Sequence, residues 1–103
     1  MASGIARNVS GSYVGTGVAP LVIAEDKVGF KPRRLTIERT ETALVKVEHL
    51  EGMADGSYFK TAADGTRTLE TTGGPTLLPT GFSLGGADDV NAADGVFRFF
   101  AEQ

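Results

Sequence analysis

The residue types that most often carry chemistry are sparse in this chain, which contains one histidine, His49, and no cysteine. A single histidine without cysteine makes a zinc site only when carboxylates complete the ligand set. His49 continues the alternation of Val45 and Val47, so it is expected to face the core or to end a strand. We therefore predict that His49 is a hydrogen-bonded structural residue.

Nucleophile and phosphate-binding motifs are also missing from the sequence. Hydrolases with a Ser-His-Asp triad often present the serine in a Gly-x-Ser-x-Gly turn, and no such pattern occurs here. Gly15-Thr16-Gly17 lacks the third glycine and the following helix of a dinucleotide-binding fingerprint. No Gly-Lys-Ser/Thr of the Walker type is present. These patterns predict a protein that is not an enzyme and that uses no cofactor.

The densest group of oxygen ligands lies between Asp88 and Gly95. Asp89, Asn91 and Asp94 are the residues of this stretch that could contact a calcium ion. Their spacing misses the helix–loop–helix calcium pattern, which places oxygens at positions 1, 3 and 5, glycine at 6 and glutamate at 12. We expect a solvated turn between the last two strands, and no metal site.

Two segments are better suited to protein contacts than to catalysis. The basic cluster Lys31-Pro32-Arg33-Arg34 fits an electrostatic contact with an acidic protein surface. Residues 1–10 predict an extended arm that docks on a neighbouring subunit, because odd positions of an extended chain point the same way. The side chains predicted to make assembly contacts are Ile5, Arg7, Val9, Lys31, Arg33 and Arg34.

The elements that must position these residues are short strands separated by turns. Ala-Asp-Gly occurs three times, ending at Gly56, Gly65 and Gly95, and Asp-Gly suits tight hairpin turns. Apolar and polar residues alternate with period two between the turns, as half-buried strands do. The predicted strands cover residues 21–23, 33–40, 43–49, 57–61, 66–71, 81–84 and 96–100. The predicted core consists of Leu35, Ile37, Val45, Val47, Phe82, Leu84 and Phe97 or Phe99.

Length and composition set the limits of the fold and of its partners. The 103 residues suit one domain, and 41% hydrophobic with 22% charged residues is close to the globular average. No apolar run approaches the ~20 residues of a membrane helix, and a net charge of −3 argues against a nucleic-acid-coating role. We predict an all-β protein: an N-terminal arm over residues 1–10, then one antiparallel β-sandwich or jelly-roll-like domain over residues 11–103.

Three stretches resemble small β-rich virion proteins of tailed bacteriophages. Gly29-Phe30-Lys31-Pro32, followed by an alternating strand, is similar to a strand entry in those proteins, and Gly52-Met53-Ala54-Asp55-Gly56 is similar to the turn after their next strand. Gly81-Phe82-Ser83-Leu84-Gly85, then Asp89-Val90-Asn91 and a closing aromatic strand, resembles their C-terminal half. The resemblance covers about residues 11–103, and its motifs are turns and strands.

The resemblance implies a structural component of a virion, assembled in the host cytoplasm. A capsid decoration (cement) protein on the outside of the head shell is the first expectation, with the major capsid protein and further copies of the chain, as a dimer or trimer, as partners. A tail, neck or fibre component is the alternative within the virion. A carbohydrate- or ligand-binding β-sandwich is the alternative from another class, with Tyr13, Tyr58 and Phe59 as the aromatics that could stack on sugar.

Overall fold

Nine short strands form two antiparallel sheets that pack face to face in the computed structural model, which describes residues 7–24, 27–40 and 45–103. The strands are β1 (Asn8–Val14), β2 (Leu21–Ile23), β3 (Arg34–Arg39), β4 (Lys46–Leu50), β5 (Tyr58–Thr61), β6 (Arg67–Glu70), β7 (Pro75–Leu78), β8 (Gly81–Leu84) and β9 (Val96–Glu102). One sheet has the order β1-β9-β3-β4-β5-β6 and the other the order β2-β8-β7. The predicted all-β sandwich is confirmed.

The core lies between the two sheets, where alternate residues of each strand point inward. Leu35 and Ile37 of β3 and Val47 of β4 are fully buried, opposite Phe82 and Leu84 of β8. Of the predicted core, only Val45 is less than fully buried, and it packs against the cluster. Phe97 and Phe99 are both buried because they share one face of β9. Tyr13 stacks on Phe97 with ring centroids 5.2 Å apart, and Phe99 meets Phe82 edge-on at 5.3 Å.

The boundary predicted for the arm requires correction. Residues 8–10 belong to β1 and pair with β9 of the same chain, in the register Asn8↔Glu102, Val9↔Ala101 and Ser10↔Phe100. Val9 is half-buried against the core. The physical reason is that β9 is long enough, at seven residues, to pair with the whole of β1. Residues 1–6, including Ile5, lie outside the described residues.

Besides β1, for which the sequence predicts no strand, two elements depart from the sequence-based prediction. Residues 75–78 form strand β7 at the edge of the three-stranded sheet, where the proline that begins it loses no ladder hydrogen bond. Residues 88–91 form a one-turn helix, α1 (Asp88–Asn91), inside the stretch predicted to be a turn. The predicted hairpin of β5 and β6 is confirmed, with Phe59 opposite Leu69.

Gly73, Gly74 and Gly85 lie where two segments of backbone cross at close range. Gly85 N donates a hydrogen bond to Gly74 O at 3.1 Å, and a Cβ at Gly85 would lie 2.6 Å from the Gly73 carbonyl carbon. Gly73 itself has a φ of +80°, in the region that favours glycine. This crossing fixes the chain before β7 against the chain after β8, so that α1 begins close to β5.

Candidate functional site

The structure gathers most of the predicted assembly residues at one end of the six-stranded sheet. Gln103 N donates to Arg7 O at 2.8 Å, and Arg33 N donates to Glu102 O at 2.7 Å, so Arg7 and Arg33 lie on either side of the end of β9. Arg34, at the start of β3, is opposite Glu102 in the sheet register. We call Arg7, Lys31, Arg33 and Arg34 the cationic end.

Two cations of this end are available to a partner. The Arg7 guanidinium lies 6.0 Å from the centre of the Phe30 ring, and its Nη1 is 3.5 Å from Gly29 O. Lys31 follows Phe30 and is exposed. Buried Phe30 and Pro32 hold this loop against the core while the residues between and after them point to solvent. Within residues 7–24, 27–40 and 45–103, neither Arg7 nor Lys31 forms an ion pair.

The other two cations have acidic neighbours. Arg33 Nε is 3.8 Å from Glu51 Oε1, and both side chains are largely exposed. Arg34 lies between two carboxylates, 3.4 Å from Glu48 and 4.0 Å from Glu102. The exposed Arg33–Glu51 pair contributes about 0–1 kcal/mol, so a stronger acidic partner can replace it at little cost, whereas the Glu48 side chain beside Arg34 is only 13% exposed. The cationic end can therefore serve as a docking surface for carboxylates.

His49 has a structural environment. It is 1% exposed, and its Nδ1 lies 2.6 Å from Ser57 O. Because a carbonyl oxygen only accepts, Nδ1 carries the proton and donates it to this bond. The bond fixes the turn between β4 and β5, as predicted for a hydrogen-bonded structural histidine.

The acidic stretch after β8 is used for internal contacts. Asp89 accepts a hydrogen bond from the Tyr58 hydroxyl at 2.7 Å and lies 3.2 Å from Lys60 Nζ. Burial, followed by the hydrogen bond to Asp89 and the charges of Asp89 and Glu70, raises the pKa of Tyr58 above its ordinary value, so the hydroxyl keeps its proton as donor. Asp94 has a φ of +63° and turns the chain into β9.

Asn91 connects three segments and is a residue whose importance the sequence does not reveal. Its Oδ1 accepts from Thr16 N at 2.8 Å, and its Nδ2 donates to Val18 O at 3.2 Å and to Gly85 O at 3.1 Å. The side chain is fully buried. No spacing rule predicts these bonds, because Thr16 and Asn91 are brought together only by the pairing of β1 with β9.

The aromatics suggested for sugar stacking are not free to stack. Tyr13 is buried, and its hydroxyl donates to Val90 O at 2.8 Å. Tyr58 is buried as well. Phe59 is covered by the Arg67 guanidinium, which lies 4.4 Å from the ring centre. The structure thus removes the aromatic platform on which the carbohydrate-binding alternative depended.

The described part of the chain offers neither a metal site nor a membrane-spanning helix. Among residues 7–24, 27–40 and 45–103, no group of three or more His, Asp or Glu side chains is arranged to hold a metal ion. In that same part, no helix has the length and apolar character needed to cross a membrane. In comparisons with known proteins, no family model, curated protein or solved structure matches this chain.

Proposed function

We propose that this protein is a structural component of a tailed-phage virion, a capsid decoration protein that binds the outside of the head shell. In addition to the sequence resemblance, the proposal rests on the cationic end. Four basic side chains from two separate segments, residue 7 and residues 31–34, lie at the end of one sheet.

The physical role that we propose is attachment by many weak and identical contacts. Arg7 and Lys31 provide cations without ion-pair partners among the described residues, which suits an acidic patch on the major capsid protein. Residues 1–6, with Ile5 as the apolar anchor, extend the same contact in our proposal. Each copy binds weakly, and occupancy of a repeating shell by many copies stabilises the shell as a whole.

The rigidity of this fold suits attachment to a shell. Two hydrogen-bonded sheets with a continuous apolar core form a rigid unit, and the described loops are short and anchored by backbone hydrogen bonds. A rigid unit loses little conformational entropy on binding, so most of the contact energy is available for attachment.

The decisive experiment is to purify particles encoded by the genome that carries this chain and to count its copies by quantitative mass spectrometry and cryo-electron microscopy. A copy number close to that of the major capsid protein, with density of this fold outside the shell, supports the proposal. A low copy number at the tail, neck or fibre supports the alternative virion location and overturns the decoration role. Absence from particles overturns both.

A second experiment tests the cationic end itself. Arg7→Gln/Lys31→Gln is compared with Thr71→Glu/Thr72→Glu, a pair of exposed threonines far along the chain, since both double variants lower the formal net charge of −3 by two. Shells that lack the protein should bind the first variant about 1.4- to 5-fold more weakly per removed cation, because an exposed ion pair contributes about 0.2–1 kcal/mol. Equal occupancy by both variants would remove the cationic end from the binding surface.

A further inference from the structure

The outward-facing side of the six-stranded sheet is a broad surface that no other part of the described chain covers. Strand register arranges its side chains in rows that cross the sheet. One row contains Ser10, Phe100, Thr36, Glu48, Phe59 and Leu69. The next row contains Ser12, Arg98, Glu38, Lys46, Thr61 and Arg67. We call this surface the outer face.

The outer face collects exposed apolar side chains. Six large hydrophobic residues of the described chain are exposed, and four of them lie on this face: Val14, Leu69, Val96 and Phe100. Phe100, near the middle of β9, is 41% exposed. Val14 and Val96 are cross-strand neighbours at one end of this face, and Phe100 and Leu69 lie in another row on β9 and β6, so the face offers apolar contacts at several separate points.

The charges of the outer face alternate and are incompletely paired within the chain. Arg98, Glu38 and Lys46 are neighbours across β9, β3 and β4. Among the described residues, none of these three forms an ion pair. Glu48 is different, because it lies between Arg34 at 3.4 Å and Arg67 at 3.7 Å and is already neutralised. In this row, Glu38 thus lies between the two basic residues Arg98 and Lys46, with no ion pair to either one.

We propose that the outer face binds the outer face of a second copy of this chain, around a two-fold axis that runs parallel to the strands between β3 and β4. Three strands lie on each side of this axis, so the two faces overlap completely. The rotation places β3 on β4 of the partner, and β9 on β5 of the partner. Face-to-face sheets pack with strand directions within about 30° of each other, which this arrangement satisfies.

The outer face is complementary to itself, which is why we propose a second copy of this chain as its partner. The axis places Glu38 opposite the partner's Lys46, and by symmetry Lys46 opposite the partner's Glu38. In the adjacent row it places Phe100 opposite the partner's Phe59 together with the Arg67 guanidinium that covers that ring, and the symmetry repeats this contact. A two-fold axis perpendicular to the strands through Thr36 and Glu48 would pair Glu38 with Arg34, but it would place Glu48 opposite itself and Lys46 opposite Leu50.

The area is sufficient for a weak dimer. Six strands about 4.8 Å apart, each covering about 17 Å along its length, give a face of about 500 Å². Two such faces bury about 1,000 Å², which is the lower limit for a specific interface. We therefore expect reversible association in the micromolar range or weaker. This inference does not depend on the proposed virion role, since it concerns the purified protein alone.

A charge-exchange experiment tests both the face and the axis. Sedimentation velocity over a concentration series should show a dimer for the natural chain. Glu38→Lys places lysine opposite lysine twice, and Lys46→Glu places glutamate opposite glutamate twice. Each variant alone should raise the dissociation constant at least about tenfold. An equimolar mixture of the two should restore the dimer, because every facing pair is again of opposite charge.

The controls separate misfolding from loss of the interface. Asp55→Lys makes the same charge change as Glu38→Lys on an exposed turn away from the face, and it should dimerise like the natural chain. Unchanged melting curves by circular dichroism confirm folding, and Phe100→Ser supplies a second variant at an exposed site. A monomeric natural chain, or a Glu38→Lys variant that still dimerises, overturns the proposal. A dimer that the mixture fails to restore overturns the axis and with it the proposed interface.

Discussion

The Asn91 side chain ties its own segment to two other stretches of backbone, the loop of residues 16–18 and the chain at Gly85. Its amide bonds to Thr16, Val18 and Gly85 within a fully buried site. Truncation removes the partners of one backbone donor and two backbone acceptors in partly buried hydrogen bonds, and an unsatisfied buried polar group costs about 1–3 kcal/mol. A single side chain thus has an effect on stability that is large relative to its size.

We expect Asn91→Ala to lower the free energy of unfolding by about 2–4 kcal/mol, as measured by urea denaturation. Asn8→Ala is the matched control, since Asn8 is exposed on the edge strand β1 and should change stability by less than about 0.5 kcal/mol. Equal effects of the two substitutions would contradict the connecting role of Asn91.

Two buried tyrosines determine the response of the fold to alkali. Burial raises the pKa of Tyr13, and burial with the neighbouring carboxylates raises the pKa of Tyr58, both from an ordinary value of 10.0. The folded state therefore binds protons that the unfolded state releases. Because the folded pKa is the higher one, the stabilisation is complete below pH 10 and is lost as the pH rises above it.

We expect the free energy of unfolding to fall more steeply above pH 10 in the natural chain than in Tyr13→Phe/Tyr58→Phe, which has no buried phenol to ionise. Denaturant titrations at a series of pH values measure the slope. The double variant starts from a lower stability because it loses the bonds to Val90 and Asp89, so the slopes and not the absolute values are compared. Parallel curves would show that neither tyrosine is linked to folding.

At the scale of elements, β1 connects the N-terminal part of the chain to the six-stranded sheet. Its odd-numbered residues exchange hydrogen bonds with β9, as the bonds from Gln103 N to Arg7 O and from Gly15 N to Gly95 O at the two ends indicate. At the free edge of β1, Lys27 Nζ donates to Ser12 O at 3.0 Å, which satisfies one of the outward-pointing carbonyls. Residues 7–10 consequently take part in folding.

Comparing two truncations isolates that contribution. Deletion of residues 1–10 should lower the free energy of unfolding by about 1–3 kcal/mol relative to deletion of residues 1–6, because it also removes the ladder bonds of residues 7–10 and the half-buried Val9. Thermal and urea denaturation of both variants measure the difference. Identical stabilities would show that this end of β1 does not contribute to the fold.

The alternation of β3 and β4 could be predicted from the sequence, whereas β7 and α1 carry no such signal. In β3 and β4 the buried residues alternate with polar ones, which is the signal of a half-buried strand. β7 lacks that signal, since it begins with Pro75 and lies at a sheet edge, where a proline is tolerated. The helix α1 is a single turn, too short to show helical periodicity.

Sheet membership and the surfaces depend on pairings between distant residues. The sequence suggests that β8 and β9 are the last two strands, and the structure places them in different sheets. The cationic end is assembled by β9, which brings Arg7 beside Gln103 and Arg33 beside Glu102. The composition of each segment identified its basic residues, but only this pairing brings the segments together.

At the scale of the whole molecule, the first and last strands are neighbours, and β9 lies between β1 and β3. The six-stranded sheet can therefore form only when the residues from both ends of the chain have met. Contacts between distant residues of this kind slow folding, as they do in other all-β domains. Because β1 and β9 are adjacent, Gln103 N donates a hydrogen bond to Arg7 O at 2.8 Å, and the two ends of the described chain can be joined with little strain.

A circular permutant uses this proximity to separate the fold from the attachment proposed for the arm. Residue 103 is joined to residue 1, and new ends are opened between Asp64 and Gly65, in an exposed turn of the β5–β6 hairpin. Every residue is retained, and the permutant should fold with a free energy of unfolding lowered by about 1–2 kcal/mol, because β6 is now tethered through a longer loop. Urea denaturation measures this change.

Because residues 1–6 are then held at both ends, they cannot extend along the shell, and binding to shells that lack the protein should weaken although Arg7 and Lys31 are unchanged. A permutant that occupies shells as fully as the natural chain would restrict attachment to the cationic end, and one that fails to fold would show that the hairpin turn has to stay closed.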